Sequence, residues 1–351
     1  MNGAADLIVL GGGPAGSAAA IAARLRGLRT VLVETSTGPD PGPGETIHPG
    51  AAAIFRQLGV LKEIETVSSV RPEALLVFWG RKRRRSAYGG DASGPWRGYQ
   101  VRRADLNHIL LRRLEELGGE ILRSGCPLQA MAEGGTVRGV RMPDRDLPAP
   151  VTIDATGRRG LLRRALGIRQ RRVSPPLLAH FGYCTGNLGS EPTIRGGSYG
   201  WSWTAQIGDD LIAWVRVDTD RQRGRPSPPD AIGALPAIGR AGARDVTWRM
   251  AETVAGPGYF LAGDCALVLD PASSNGILRA MMSGMMAAHN AAETLAGAIT
   301  WAKASAAYQS WVAAWFERDV AEMTDLYKSL GIDWTEPETN TRHELRGSQH
   351  V

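Results

Sequence analysis

The stretch that most constrains this chain is its beginning. Leu7–Leu10 is a short apolar run that meets a glycine cluster. Within the cluster, Gly11, Gly13 and Gly16 form G-x-G-x-x-G, and Pro14 and Ala15 open an alanine-rich helical stretch that reaches Arg26. Thr30–Val33 is a second apolar run, closed by Glu34. The order predicts a strand–turn–helix–strand unit. Each glycine has a steric reason: Gly11 permits the tight turn, Gly13 lets backbone approach a pyrophosphate, and Gly16 lets the helix pack on the strand. The helix N-terminus offers free N–H groups and partial positive charge to phosphates. Glu34 stands where an acid accepts hydrogen bonds from a ribose. Its charge would repel an additional 2′-phosphate, which favours FAD or NAD over NADP at this site.

The rest of the chain supplies the partners of such a unit. Thr37–Gly50 is a Gly/Pro loop, followed by a helix over Ala51–Leu58. Glu73–Trp79 reads as a strand, Arg81–Arg85 as a basic solvated run, and Tyr99–Arg103 as an extended piece. A helix is expected over Ala104–Leu117, with strands over Gly119–Arg123, Val137–Arg141 and Val151–Ala155. From about 173 to 255, short runs rich in aromatic and β-branched residues suggest an antiparallel sheet. Tyr259–Leu261 reads as a strand, Gly276–Ala298 and Ala304–Leu330 as long helices, and the chain from Gly331 as a loose polar tail.

Composition narrows the function classes. The 351 residues, 43% hydrophobic and 22% charged, suit a globular protein of two or three domains. The net charge of +6 is carried mostly by arginine, since only Lys62, Lys82, Lys303 and Lys328 are lysines. No zinc-finger spacing or aromatic RNA-binding pattern accompanies it, so nucleic acid is not expected as a partner. Cys126, Cys184 and Cys265 are scattered, without a C-x-x-C pair, so neither a metal site nor a disulfide framework is implied. No apolar run is long enough for a membrane span. The start has no basic stretch ahead of Asp6, so a signal peptide is not expected and a cytoplasmic location is.

Further segments, in order, give a resemblance. In "FLAGDCALVLDPASSNGILRAMMSG" a strand ends in Gly263-Asp264, and a loop then reaches Asn275-Gly276 and Ile277, where a helix starts. Asp264 can accept a hydrogen bond from a sugar-like hydroxyl, and the helix start can stabilise negative charge on a reduced flavin. The sequence resembles FAD-dependent monooxygenases of the aromatic-hydroxylase type, and most of all their flavin-halogenase-like branch. The likeness covers roughly residues 5–295 through five segments. It implies an α/β (α+β) fold, a Rossmann-like FAD-binding domain (GR2-type) combined with an antiparallel β-sheet substrate domain and C-terminal helices. The FAD domain is expected to be discontinuous (1–70, 100–172 and 256–300), with 71–99 and 173–255 forming the substrate domain, 301–330 a C-terminal helix and 331–351 the tail. By the resemblance, Asp264 binds the flavin ribityl chain. Asp154 and Gly157 match the family's second segment, Glu45 and Thr46 its early flavin loop, and Arg103 its arginine near the pyrophosphate.

The same resemblance bears on chemistry. "YGWSWTAQIG" is similar to the W-x-W-x-I-P motif of flavin-dependent halogenases through Trp201 and Trp203, but Ala205-Gln206 replaces Ile-Pro. The halogenase lysine has no counterpart between Lys62 and Lys82, and Ser273 stands where a halogenase glutamate is expected. Hydroxylation is therefore expected rather than halogenation. The implied reaction uses NAD(P)H as electron donor and O2 as co-substrate, through a flavin C4a-hydroperoxide. The NAD(P)H binds transiently, or a separate flavin reductase supplies reduced flavin. Trp201 and Trp203 are candidates to line the substrate channel. His48, in the loop expected near the flavin ring, and His180, on the substrate sheet, are candidate acid–base residues. The substrate is expected to be an aromatic small molecule or an acidic peptide or protein. In the second case, a peptidyl tryptophan modified during tryptophylquinone cofactor maturation fits the short chain. An FAD reductase resembling geranylgeranyl reductases is the competing reading.

Overall fold

The computed structural model describes residues 4–36, 38, 42–219 and 227–334. Strand Leu7–Leu10 pairs in parallel with Thr30–Glu34 on one side and with Val151–Asp154 on the other. Glu120–Arg123 and Tyr259–Leu261 extend this parallel arrangement outward, and the two-residue strand Ala255–Gly256 folds back on one edge to complete six strands. Leu7, Ile8, Val9, Leu10 and Ile153 are fully buried. The central strands read as continuous apolar runs because both of their faces are covered.

Helix Pro14–Leu25 lies against this sheet and against helix Gly276–Leu295. Small side chains set that contact. A β-carbon at Gly284 would strike the carbonyl oxygen of Ala15, so the two backbones meet where only glycine fits. Ala18, Ala19, Ala287 and Ala288 are fully buried in the same core.

The second large sheet has seven strands. In spatial order they are Ala237–Asp245, Leu178–Thr185, Leu211–Asp218, Gly200–Gly208, Thr193–Gly197, Ala74–Trp79 and Lys82–Ala87. Its expected antiparallel character holds with one exception: Thr193–Gly197 runs parallel to Ala74–Trp79. The two strands are far apart in sequence, so no hairpin dictates their direction. The basic run is solvated as expected, and within it Lys82–Ala87 forms the outermost strand of this sheet. Helix Leu61–Val67 went unread, and strand Gly44–Ile47 lies inside the stretch expected to be loop.

The last helix, Trp301–Lys328, starts three residues before the sequence suggests. Thr300 caps it by accepting from the Lys303 N–H at 3.4 Å. At 28 residues it is about 42 Å long, enough to touch both sheets. The Tyr308 hydroxyl donates to the Leu261 carbonyl at 2.8 Å beside the parallel sheet, and Tyr327 packs under the seven-stranded one. The chain does not come loose at Gly331. The Trp334 ring sits 4.8 Å from Trp248 and 4.3 Å from Tyr327. The remainder of the expected tail, from residue 335, lies outside the described residues. No helix among the described residues is long and apolar enough to cross a membrane.

The contact between the two helices yields an expectation. Gly284→Ala should lower stability by about 1–3 kcal/mol, the usual range for a forced insertion into packed structure. Urea unfolding of the two proteins measures it.

Candidate flavin and substrate site

The site is assembled from turns at the carboxyl ends of the parallel strands. Gly11 has φ +96, and a β-carbon there would meet the Ala155 carbonyl oxygen at 2.6 Å. A β-carbon at Gly16 would strike the carbonyl of Gly11. Gly263 has φ +60 and lies against the Ala15 side chain. The glycine motif, the Asp154–Gly160 turn and the Gly263-Asp264 turn are thus pressed together. Gly13 is different: a β-carbon there would meet no atom within 4 Å. It precedes the Pro14–Leu25 helix, whose N-terminus receives no side-chain cap. An open space in front of uncapped helix N–H groups fits a dinucleotide pyrophosphate. Glu34 is turned toward the same place, accepting from the Gly12 N–H at 2.6 Å and the Ser36 N–H at 2.6 Å. Each of its oxygens keeps a lone pair for a ribose hydroxyl. These residues fit FAD.

A cavity of about 260 Å³ runs from the Gly263-Asp264 turn and Arg158 to the seven-stranded sheet. Glu45, Thr46, His48, Arg103, Gly263, Asp264, Gly276 and Ile277 line one part of it, and Phe181, Ile194, Trp201, Trp203 and Val215 another. Ten of the sequence-derived candidates therefore line one cavity. Arg103 and Glu45 form an ion pair with each other. Thr46 donates to Gln100 Oε1 at 2.9 Å. Arg158 lies 3.5 Å from Asp264, and its Nε is buried without a hydrogen-bond partner. Burial lowers the Arg158 pKa, with Asp264 opposing that shift. No cluster of metal-ligating side chains occurs among the described residues.

Three candidates stand elsewhere or act otherwise. Asp154 is fully buried, and its carboxylate accepts from the Thr156 N–H and hydroxyl and from the Leu162 N–H at 2.7 Å. It shapes its own turn and is not in the cavity wall. Asn275 caps helix Gly276–Leu295 without a side-chain bond and is likewise outside the wall, although Gly276 and Ile277 belong to it. His180 does not reach the cavity. Its neighbours Ala179 and Phe181 do, and side chains alternate along a strand, so His180 takes the opposite face of the sheet.

His48 does reach the cavity, with a different capacity from the proton acceptor expected. Its Nδ1 accepts from the Gly50 N–H at 3.0 Å, and its ring meets Tyr88 edge-on at 5.2 Å. Burial lowers its pKa below the ordinary histidine value. A neutral ring whose Nδ1 is an acceptor carries its proton on Nε2. His48 therefore offers a hydrogen-bond donor.

Sequence reasoning missed the buried centre of the site. Asp270, 1% exposed, accepts from the Tyr327 hydroxyl at 2.7 Å, the Trp248 indole at 3.4 Å and the Ala272 N–H at 2.9 Å. Trp201, in turn, donates its indole N–H to the Tyr327 hydroxyl at 2.9 Å. Trp201 is thus held as a wall element, whereas Trp203 on the same face has no such tether among the described residues. The available signal was Asp270-Pro271, an aspartate ahead of proline at a helical start. Arg279 was missed as well. It lines the cavity and pairs with Asp319 at 2.7 Å, their side chains 13% and 4% exposed.

Two measurements test this construction. Gly13→Val should leave the melting temperature of the FAD-free protein unchanged and weaken FAD binding at least about tenfold, read by absorbance titration. Asp270 is pushed up to about 6 by burial, against the hydrogen bonds that lower it. A carboxyl raised from its unfolded value contributes stability that is complete below about pH 4 and lost as pH rises through about 6. The change is about 3 kcal/mol. Asp270→Asn should remove this component, so the stability difference between the two proteins should vary across pH 4–6 and level off above 7.

Comparison with known proteins gives the same assignment. Residues 6–169 match the family described as "FAD dependent oxidoreductase". A tryptophan 2-halogenase of Chondromyces crocatus is 26% identical over 342 residues, covering 86% of this chain. This chain spans only 64% of that enzyme's length. A menaquinone reductase of Mycolicibacterium smegmatis is 26% identical over 332 residues, covering 82% of this chain and 76% of its own. Among solved structures, the peptidyl tryptophan dihydroxylase QhpG, described as essential for tryptophylquinone cofactor biogenesis, superimposes with a TM-score of 0.74 at 19% identity. The overlap covers 95% of this chain and 77% of that one. With its glycine turns, Glu34 and the cavity beneath the second sheet, the chain is similar to FAD-dependent oxidoreductases, a flavin-dependent halogenase among them, and shares its fold with a peptidyl tryptophan dihydroxylase.

Proposed function

We propose that the protein is a monooxygenase that uses FAD, NAD(P)H and O2 to hydroxylate an electron-rich aromatic group. The observation that carries this reading is the make-up of the cavity, where the flavin-type turns share one space with Phe181, Trp203, Ile194 and Val215. When bound, FAD supplies electron transfer and oxygen activation. The chain supplies the rest. Asp264 would accept from ribityl hydroxyls. The N-terminus of helix Gly276–Leu295 would favour negative charge beside the ring. The apolar sheet wall would seat an aromatic group and keep water away. His48 would hold an oxygen of substrate or flavin by donating from Nε2.

A tryptophan side chain in a peptide or protein is the substrate we favour over a small aromatic metabolite. The fold shared with the peptidyl tryptophan dihydroxylase supports it. We read the chemistry as hydroxylation because none of the four lysines lines the cavity and Ser273 stands in its wall. A second reading, reduction of a quinone-like or isoprenoid substrate, draws support from the menaquinone reductase relative.

The deciding experiment supplies the FAD-loaded protein with NAD(P)H, O2, bromide and either small phenols and indoles or tryptophan-containing peptides. The expected result is oxygen uptake matched by a peptide product that has gained oxygen and no bromine. A brominated product would refute the hydroxylase reading, and anaerobic reduction of an added quinone in its place would establish the reductase. His48→Ala should reduce turnover by about 10²-fold, the scale for losing one positioned donor, while His48→Gln, which keeps an N–H donor, should lose less.

A further inference from the structure

The seven-stranded sheet ends on one side in strand Lys82–Ala87. It pairs with Ala74–Trp79, and among the described residues no strand lies on its outer side. The Tyr88 N–H donates to the Glu73 carbonyl at 2.9 Å, which fixes the phase of the hairpin. Antiparallel alternation then turns the backbone groups of Lys82, Arg84 and Ser86 inward and those of Arg83, Arg85 and Ala87 outward. The outward groups form a short row of donors and acceptors able to pair with another extended chain.

The side chains on this edge share one sign. Arg81, Lys82, Arg83, Arg84 and Arg85 are all exposed. Arg85 pairs with Glu191, and among the described residues the other four form no ion pair. The two faces of the edge are both cationic. Register places Arg84 in line with Val77 and Ile194 on the cavity side. It places Arg83 in line with Phe78 and Arg195 on the other, where the Arg195 guanidinium lies 4.1 Å above the Phe78 ring. Charged edge strands keep proteins from pairing edge to edge, since two copies of this strand would repel. The same charges attract an acidic strand.

We propose that this edge docks an acidic, extended polypeptide segment, which adds to the sheet as a further strand. Backbone pairing supplies the alignment, and carboxylates on both faces of the added strand meet Arg83 and Arg195 on one side and Lys82 and Arg84 on the other. The docked segment lies three strand spacings, roughly 14 Å, from Ile194 in the cavity wall. The proposal stands whichever group the cavity oxidises.

The test is fluorescence anisotropy with the full-length protein and a labelled peptide of alternating glutamate and threonine. Two further copies are N-methylated at alternate residues, one in each phase. We expect binding that weakens steeply with salt and a more than tenfold loss for one methylated copy but not the other. Arg83→Glu and Arg84→Glu, on opposite faces, should each weaken binding at least fivefold while FAD absorbance and melting temperature stay the same. Equal binding of both methylated copies would reduce the site to a diffuse charge effect and overturn the proposal. So would absence of binding at low salt, or tighter binding of a single-stranded oligonucleotide than of the peptide.

Discussion

Backbone pressed against backbone is the condition on which this molecule rests. Gly11 lies against Ala155, Gly16 against Gly11, and Gly284 against Ala15, each where a β-carbon has no room. These contacts bring three sequence-distant turns to the carboxyl ends of the parallel strands, while Gly13 beside them faces open space. Close approach and its local absence are equally needed. The first fixes the positions of the helix N–H groups, and the second leaves space for a phosphate in front of them.

From that anchored corner, charge is managed by pairing. Arg103 with Glu45, Arg158 with Asp264, and Arg279 with Asp319 set cations and anions side by side around the cavity. Asp270 differs, because its partners are the neutral donors Tyr327, Trp248 and the Ala272 N–H. That explains its raised pKa, since hydrogen bonds only partly offset the cost of burying its charge. The cavity thus combines neutralised ion pairs, an apolar sheet wall and a histidine that burial keeps neutral.

The sequence disclosed what is local. G-x-G-x-x-G with its flanking strands and Glu34, the Gly263-Asp264 turn, and the helix start at Gly276 are contiguous signals, and their geometry is as read. It disclosed less where a residue's role depends on a distant partner. The tryptophan pair was visible, but the Trp201 tether is Tyr327, 126 positions away. His180 lies on the face away from the cavity, and its strand could be read from sequence but not that face. Asp154 lies outside the cavity wall for another reason. A carboxylate in a flavin-type motif can serve the turn itself, and nothing in its spacing separates that from contact with a ligand. The parallel pairing of Thr193–Gly197 with Ala74–Trp79 joins segments that no hairpin links, so local pattern could not give it.

The bond between Trp201 and Tyr327 has a mechanical consequence. Through Tyr327 and Asp270 it fastens the sheet, the last helix and the loop leading to Gly276 at one point. Three elements clamped together cannot part to admit a guest without exposing a buried carboxylate and two indoles to water. The fastened side is therefore the back of the chamber. The short strand Gly44–Ile47, by contrast, pairs with a single strand among the described residues, Tyr99–Arg102, so it carries no comparable clamp.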